Sequence, residues 1–380
     1  MPFTGKATYT AGATLPEIAE DVSDLVAIAS PNETPLLDAL GDPARSAHST
    51  IHEWLEDALI PNVDSIIDVL SATHFTVVHV EYFRVGDQIR VEGQTELMLV
   101  TMVNPGDNSI TVTRGYGGTS VGAVAADDIV HIIGNAALEG ADADDPRITT
   151  RTRRSNFTQI FSATAEVSGS ELAVRQIGVR DELDYQKAQR TRELLRDLES
   201  SVINGIAANA DPQGSSTVRR TMRGIIRSLL SNQFQAGVGG FPAGAALTEE
   251  QLNTALRQIW KNSTGGVDLI AVGGPEKRAI NAFIQSNRRF TAEDETFKNL
   301  VSVYESDFGV CRVVLCRSMP VGTVLLLDSS RIEVLPLSGR SFHYKPLASN
   351  GDRDAGQVIG EYTLELRNEN AHGIITGFTA

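Results

Sequence analysis

SGSELAVRQIGVRDELDYQKAQRTRELLRDLESSVINGIAA, residues 168–208, decides how the rest of the chain is read. The stretch predicts one long helix. Ser168 or Ser170 offers an N-cap oxygen, and Glu171 sits in the first turn, where the helix dipole favours an anion. Gly205, Asn209 and Pro212 mark the end, and Gly178 is a candidate kink. Unbroken, such a rod spans roughly 60 Å. Leu194, Leu198, Val202 and Ile206 form an apolar stripe at i+4 spacing. The other face carries i,i+3 pairs: Asp184 with Lys187, Arg190 with Glu193, Glu193 with Arg196, and Arg196 with Glu199. Each pair contributes only tenths of a kcal/mol, about 0.2–0.5. Two readings stay open: a plain solvated face, or a strut against which neighbouring subunits lean.

Outward from the helix, bulk numbers narrow the classes. The chain has 380 residues, 41% apolar and 21% charged, enough for two or more domains with a sizeable core. A net charge of −15 argues against a general binder of nucleic acid or anionic membrane, since both need a basic field. The two cysteines, Cys311 and Cys316, lie at odd separation in a strand and so point to opposite faces. A disulfide between them is not expected, and the usage is that of a chain made in a reducing compartment. Residues 1–9 hold no apolar signal core, and no apolar run reaches membrane-span length.

Before the helix, residues 1–45 read as an arm. It has a short amphipathic helix over Leu15–Ala29, a turn at Ser30–Pro35, and Leu36–Leu40 stopped by Gly41. Residues 46–59 and 151–167 alternate as strands and can pair as a long hairpin. Between them lies a module, residues 64–146, with five strand signals: HFTVVHVEYF, DQIRVEG, ELMLVTMV, SITVTRG and DDIVHIIG. That pattern predicts a small barrel or sandwich. The module carries thirteen acids against three bases, −10 of the chain's −15, and should sit on an outer surface. After the helix the pattern is α+β. Residues 217–232 are basic and amphipathic. Thr248 caps a helix over Glu249–Asn262, and Val267–Val272 is a buried strand. A helix starts near Pro275, strands follow at 310–316, 324–327 and 332–335, and 360–376 is a strand pair or one bent strand.

A search for chemistry finds no active site. His48 and His52 are four apart on a strand, poorly placed for one metal, and His372 reads as structural. Residues 114–120, RGYGGTS, lack the lysine of a phosphate loop and read as a hairpin turn. The basic clusters Arg147/Arg151/Arg153/Arg154 and Arg219/Arg220/Arg223/Arg227 lack interleaved aromatics. They read better as salt-bridge partners, with Glu139–Asp145 beside the first, than as a nucleic-acid surface.

The order of these parts resembles the Hong Kong 97-type fold of tailed-phage major capsid proteins. The residues that carry the resemblance are Asp21–Leu25 with Ser30–Pro35, His52-Glu53-Trp54 with Asp57–Leu59, Asn156–Ile160 with Val167–Gly169, and Asp181-Glu182 with Tyr185-Gln186. Glu193–Glu199 and the C-terminal GEYTLELRNENAHG, residues 360–373, complete it. The resemblance implies an N-terminal arm (1–45), two strands of an extended loop (46–63 and 147–167), a peripheral domain with a spine helix (168–213 and 341–380) and an axial domain (214–340). The acidic β module (64–146) is a departure, inserted into the extended loop. The implied function is structural, not enzymatic, with no cofactor and no metal. Copies would assemble as hexamers and pentamers into an icosahedral head around double-stranded DNA, without sequence-specific binding or a membrane. Portal, scaffold or decoration proteins would be further partners, and synthesis would occur in the host bacterial cytoplasm. The module is expected on the outer surface, reinforcing contacts between capsomers. Contacts between copies are expected at Trp54, Arg147, Arg151, Arg153, Arg154, Glu182, Arg190, Glu193, Arg196 and Glu199. Some relatives lock the shell with a lysine–asparagine bond from the extended loop. No lysine lies between Lys6 and Lys187 here, so a non-covalent shell is expected. No long helical leader opens the chain, so a scaffold is expected as a separate or already removed protein. An encapsulin-like compartment, and a glycan- or host-binding role for the module, remain alternatives.

Overall fold

The computed structural model describes residues 34–140, 147–173, 181–287, 303–348 and 351–378. The helix expected over 15–29 lies outside them. The chain divides into two compact units, Met1–Trp54 with Arg153–Ala380, and Leu55–Thr152.

Helix α1, Pro35–Leu40, begins with proline at its first turn and ends at Gly41, which takes the left-handed φ of 74°. Strand β1, Ile51–Glu56, leads into the smaller unit. There β2 (Val63–Ser71), β3 (His74–Val77), β4 (Asp87–Val91), β5 (Met98–Asn104), β6 (Ser109–Thr113) and β7 (Ile129–Asn135) close a barrel in the order β2-β3-β6-β5-β4-β7. Alternation turns Phe75, Val77, Ile89, Val91, Met98, Val100, Ile110, Val112 and Val130 inward. The five-strand expectation missed β2, whose Asp64, Ser65 and Asp68 interrupt its apolar residues. Residues 114–120 are not a hairpin turn, because β6 pairs with β3 and β5 while β7 pairs with β2 and β4. They open a crossing connection, pinned by the buried Glu96. Its carboxylate accepts from Arg114 Nε and Nη2 (2.8 and 2.7 Å) and from the amides of Gly115 and Gly122 (2.9 and 2.8 Å). The Arg114 bonds, helped by the two amides and opposed by burial, hold Glu96 down at about 2.

Strand β8, Thr152–Phe157, returns to pair with β1 as a two-stranded ribbon, so the expected hairpin of 46–59 with 151–167 forms only over these strands. Strand β9, Gln159–Ser168, then leaves that ribbon. The single long helix expected from Ser168 is corrected. A five-residue turn of helix, α2 (Gly169–Ala173), is followed by α3, Glu182–Asn204, a separate helix of 23 residues. Its N-cap is Asp181, whose carboxylate accepts from the Asp184 amide at 3.0 Å. Leu194, Leu198 and Val202 are buried as expected, but Ile206 is exposed beyond the helix end and Ile203 faces the core instead. The helix ends at Gly205, where ψ turns to 146°, and the position admits only glycine, since a Cβ would meet Ser201 O at 2.4 Å and Met222 O at 2.6 Å.

The remaining elements are α4 (Ile225–Ser228), β10 (Gln233–Gln235), α5 (Glu249–Asn262), β11 (Leu269–Val272), α6 (Gly274–Asn287), β12 (Val303–Ser306), β13 (Gly309–Leu315), β14 (Val324–Leu327), β15 (Ile332–Pro336), β16 (His343–Pro346), β17 (Arg353–Leu366) and β18 (Gly373–Thr376). Helix α5 has the expected cap: Thr248 and Gln251 form a reciprocal capping box. A six-stranded sheet runs β10-β18-β14-β11-β13-β12, and a second sheet joins β15, β17, β16 and β9. The C-terminal stretch is neither a hairpin nor one bent strand. A helical turn at Glu369–Ala371 sends β17 and β18 into different sheets. Cores lie on both faces of the six-stranded sheet. Cys311 belongs to one and Cys316 to the other, both as free thiols.

Candidate subunit-contact surfaces

Strand β17 organises the root of the ribbon. It pairs with β9 over ten residues, from Tyr362 against Gln159 to Arg353 against Ser168. Its Glu361 and Glu365 are both almost fully buried, two pleat repeats apart on the same face. Glu365 takes His52 Nε2 of β1 at 2.5 Å and Arg45 Nη2 at 3.1 Å, with Arg367 Nε at 3.4 Å. Burial raises its carboxyl, but the His52 and Arg45 hydrogen bonds outweigh that and hold it low. Glu361 takes Arg220 Nη2 at 2.6 Å, Arg340 Nε at 2.8 Å and the Thr158 hydroxyl at 2.6 Å. The arm side, β1 and the start of β9 are thereby fastened to one strand. His52 is thus spent on a carboxylate. Among the described residues no cluster of three His, Cys, Asp or Glu could hold a metal.

The contact candidates divide by surroundings. On α3, Lys187 pairs with Asp184 at 2.8 Å and Arg190 with Glu193 at 2.7 Å, while Gln186 donates to Glu182 at 2.7 Å. Arg196 approaches Asp197, at 4.0 Å, rather than Glu193 or Glu199. Glu199 is corrected outright, because it is 2% exposed and faces inward. Its Oε2 accepts from the amides of Leu36 and Leu37 at 3.0 and 3.3 Å, capping α1, which has no side-chain cap of its own. Burial raises this carboxyl to about 6, against the pull of those two amides and with a small push from Asp38. It is an internal fastener of this chain, not a contact to another.

The ribbon candidates lie outside. Arg151 and Arg153 are 71% and 70% exposed and reach Asp57, just past the end of β1, at 3.8 Å and Glu53 of β1 at 3.5 Å. Their neighbour Arg154 is also exposed. Arg147 donates to the carbonyls of Glu81 and Tyr82 at 2.9 and 3.1 Å. Of the acids expected to serve this cluster, Asp142, Asp144 and Asp145 lie outside the described residues. Trp54 is half-buried, its ring 5.9 Å from that of His52. Sequence reasoning missed the roles of Glu361 and Glu365. Two acids at even spacing inside an apolar strand were the available signal.

Among the described residues no helix is long and apolar enough to cross a membrane. His372, wholly buried, accepts from the Asp328 amide at 3.1 Å, and burial lowers its ring to about 4.

The same architecture occurs in solved capsids. The capsid chain of a native GTA particle is 9% identical and aligns over 99% of this chain and 100% of its own, with a TM-score of 0.56. The cyanophage A-1(L) capsid chain is 13% identical over 97% and 99%, with a TM-score of 0.53. The holo-SrpI encapsulin of Synechococcus elongatus PCC 7942 is 12% identical over 60% of this chain and 78% of its own, with a TM-score of 0.43. No curated protein matches the sequence. The model of the SU10 major capsid protein family, however, matches residues 3–379. With a ribbon, a long helix and two sheets shared with those capsid chains, the chain belongs to the SU10 major capsid protein family and is a phage major capsid protein of the Hong Kong 97-type fold, a chain that builds a shell from copies of itself.

Proposed function

We propose that the chain assembles as hexamers and pentamers into the icosahedral head of a tailed phage and encloses double-stranded DNA without reading its sequence. In that assembly residues 1–45 act as the arm, 46–63 and 147–167 as the extended loop, and 168–213 with 341–380 as the peripheral domain. Residues 214–340 act as the axial domain. The observation that carries this reading is the β1–β8 ribbon: two strands with no third among the described residues, most of their side chains at least partly exposed. Such a ribbon is marginal alone in water and gains its support from a neighbour. The arginines of β8, with Trp54 on β1, are the surface it offers. The exposed Arg196 of α3, with the half-buried Glu182, Arg190 and Glu193, offers another.

The barrel, residues 64–146 of the sequence reading, is assigned to the outside. Thirteen acids against three bases would be repelled by packaged phosphate but tolerated in solvent, where the barrel reinforces contacts between capsomers. Portal, scaffold and decoration proteins complete the particle. The family match over nearly the whole chain supports a phage head over a cellular compartment. Electron microscopy with analytical ultracentrifugation of the expressed chain tests the reading, with and without phage-lysate partners. Closed shells with barrel density outside are expected. A monodisperse monomer or dimer under every condition would refute it.

A further inference from the structure

Helix α5 separates two unlike surfaces. On one flank Thr254 and Gln258 border a cavity of about 340 Å³. Phe234 of β10 and Phe241, stacked with centroids 5.3 Å apart, line it. Its rim is Gln233, Gln235 and the loop Val238-Gly239-Gly240, where both glycines take left-handed φ and leave open space beyond Cα. On the other flank stands Trp260, two residues and therefore about 200° round the helix from Gln258. It is 64% exposed, 6.0 Å from the ring of Phe308 in the turn between β12 and β13. The cavity thus lies at the β10 edge of the six-stranded sheet, and the aromatic knob at the β12 edge.

We infer that Trp260 of one copy seats in the Phe234/Phe241 cavity of the next copy around the capsomer. Four observations support this occupant. The chain builds shells from copies of itself, so another copy is the partner present at highest concentration. Knob and hole are different surfaces on opposite edges of one sheet, the arrangement a head-to-tail ring requires and a two-fold dimer does not. A buried indole needs an apolar bed and an acceptor for its N–H. The cavity supplies a stacked phenylalanine pair with the amide oxygens of Gln233, Gln235 and Gln258 on its rim. A large exposed tryptophan is also the side chain most enriched at the centre of protein interfaces.

This inference rests on the ring assembly proposed above. Its test pairs Val238→Cys, at the cavity rim and 53% exposed, with Trp260→Cys in the full chain. The native Cys311 and Cys316 are each about 1% exposed and do not interfere. Assembled shells of the double variant, oxidised and run on a denaturing gel, should give a ladder of covalent multimers ending at the ring size. Each single variant should give at most dimers. Trp260→Ala, whose melting temperature should stay near that of the parent, should weaken association of copies about tenfold or more. Normal shells with both engineered thiols reactive but only monomer on the gel would overturn the inference and leave the capsid reading intact. Failure of the parent chain to form rings or shells would overturn both.

Discussion

Glu199 and His372 are two buried titratable residues that push stability in opposite directions with pH. Glu199 is raised from 4.5 to about 6, so between those values the folded chain holds more protons than the unfolded one. Its burial therefore costs roughly 2 kcal/mol above pH 6, relieved as pH falls toward 4.5. His372 is lowered from 6.5 to about 4. The unfolded chain binds the extra proton in that window, so stability is full above 6.5 and falls by up to about 3 kcal/mol on the way to 4. Denaturant melts at pH 8 and 5 separate the two. Glu199→Gln should match or exceed the parent at pH 8 and lose that advantage at pH 5. Glu199→Ala strands the Leu36 and Leu37 amides, should cost about 1–3 kcal/mol, and should speed hydrogen exchange across residues 35–40. His372→Gln should flatten the acid loss. A His372→Gln variant that keeps the parent's pH dependence between pH 6.5 and 4.5 would contradict the assignment for the histidine.

Among the elements, the barrel and the ribbon root make separate predictions. Glu96 ties β5 to the crossing connection through four hydrogen bonds, two of them from Arg114. Arg114→Ala leaves that carboxylate buried without its charge partner and should destabilise the barrel by about 3–5 kcal/mol. Thermal melts of the excised Leu55–Thr152 unit, which has its own core, would measure it. At the ribbon root, Glu365→Ala takes the carboxylate from His52 and leaves Arg45 held by Glu333, and should loosen β1, read as faster hydrogen exchange over residues 51–56 while β17 stays protected. Elements whose signals are local were legible in the sequence. Helix α5 announced itself through Thr248, Gln251 and the Leu252–Leu256–Ile259 spacing, and β11 through an unbroken apolar run. The break before α3 was not legible, since residues on either side share the helical period and only the Asp181 cap marks the start. Nor was the inward turn of Glu199. Its i,i+3 spacing looks like any surface pair, and the amides it serves lie 163 residues away. The same distance problem hid Glu361 and Glu365, whose cations come from four separate parts of the chain.

At the scale of the whole molecule, the proposed shell is expected to be held by non-covalent contacts. With no lysine between Lys6 and Lys187, the ribbon has no amine to form an isopeptide bond. Mature particles boiled in detergent should run as one band at the mass of a single chain. A ladder without added oxidant would refute this. Contacts that the exposed arginines Arg151 and Arg153 make with another copy should weaken with salt, since interactions between exposed charges are screened beyond about 8 Å at physiological ionic strength. The two cysteines give the intact particle a timekeeper. Burial, with Asp268 beside it, raises Cys311 to about 11, while burial and Glu199 raise Cys316 to about 12. Neither thiol reacts with an alkylating reagent until its own core opens. Because the sheet puts them on opposite faces, one labelling experiment runs two independent clocks. Their ratio records which side of the protein breathes first as the shell changes shape.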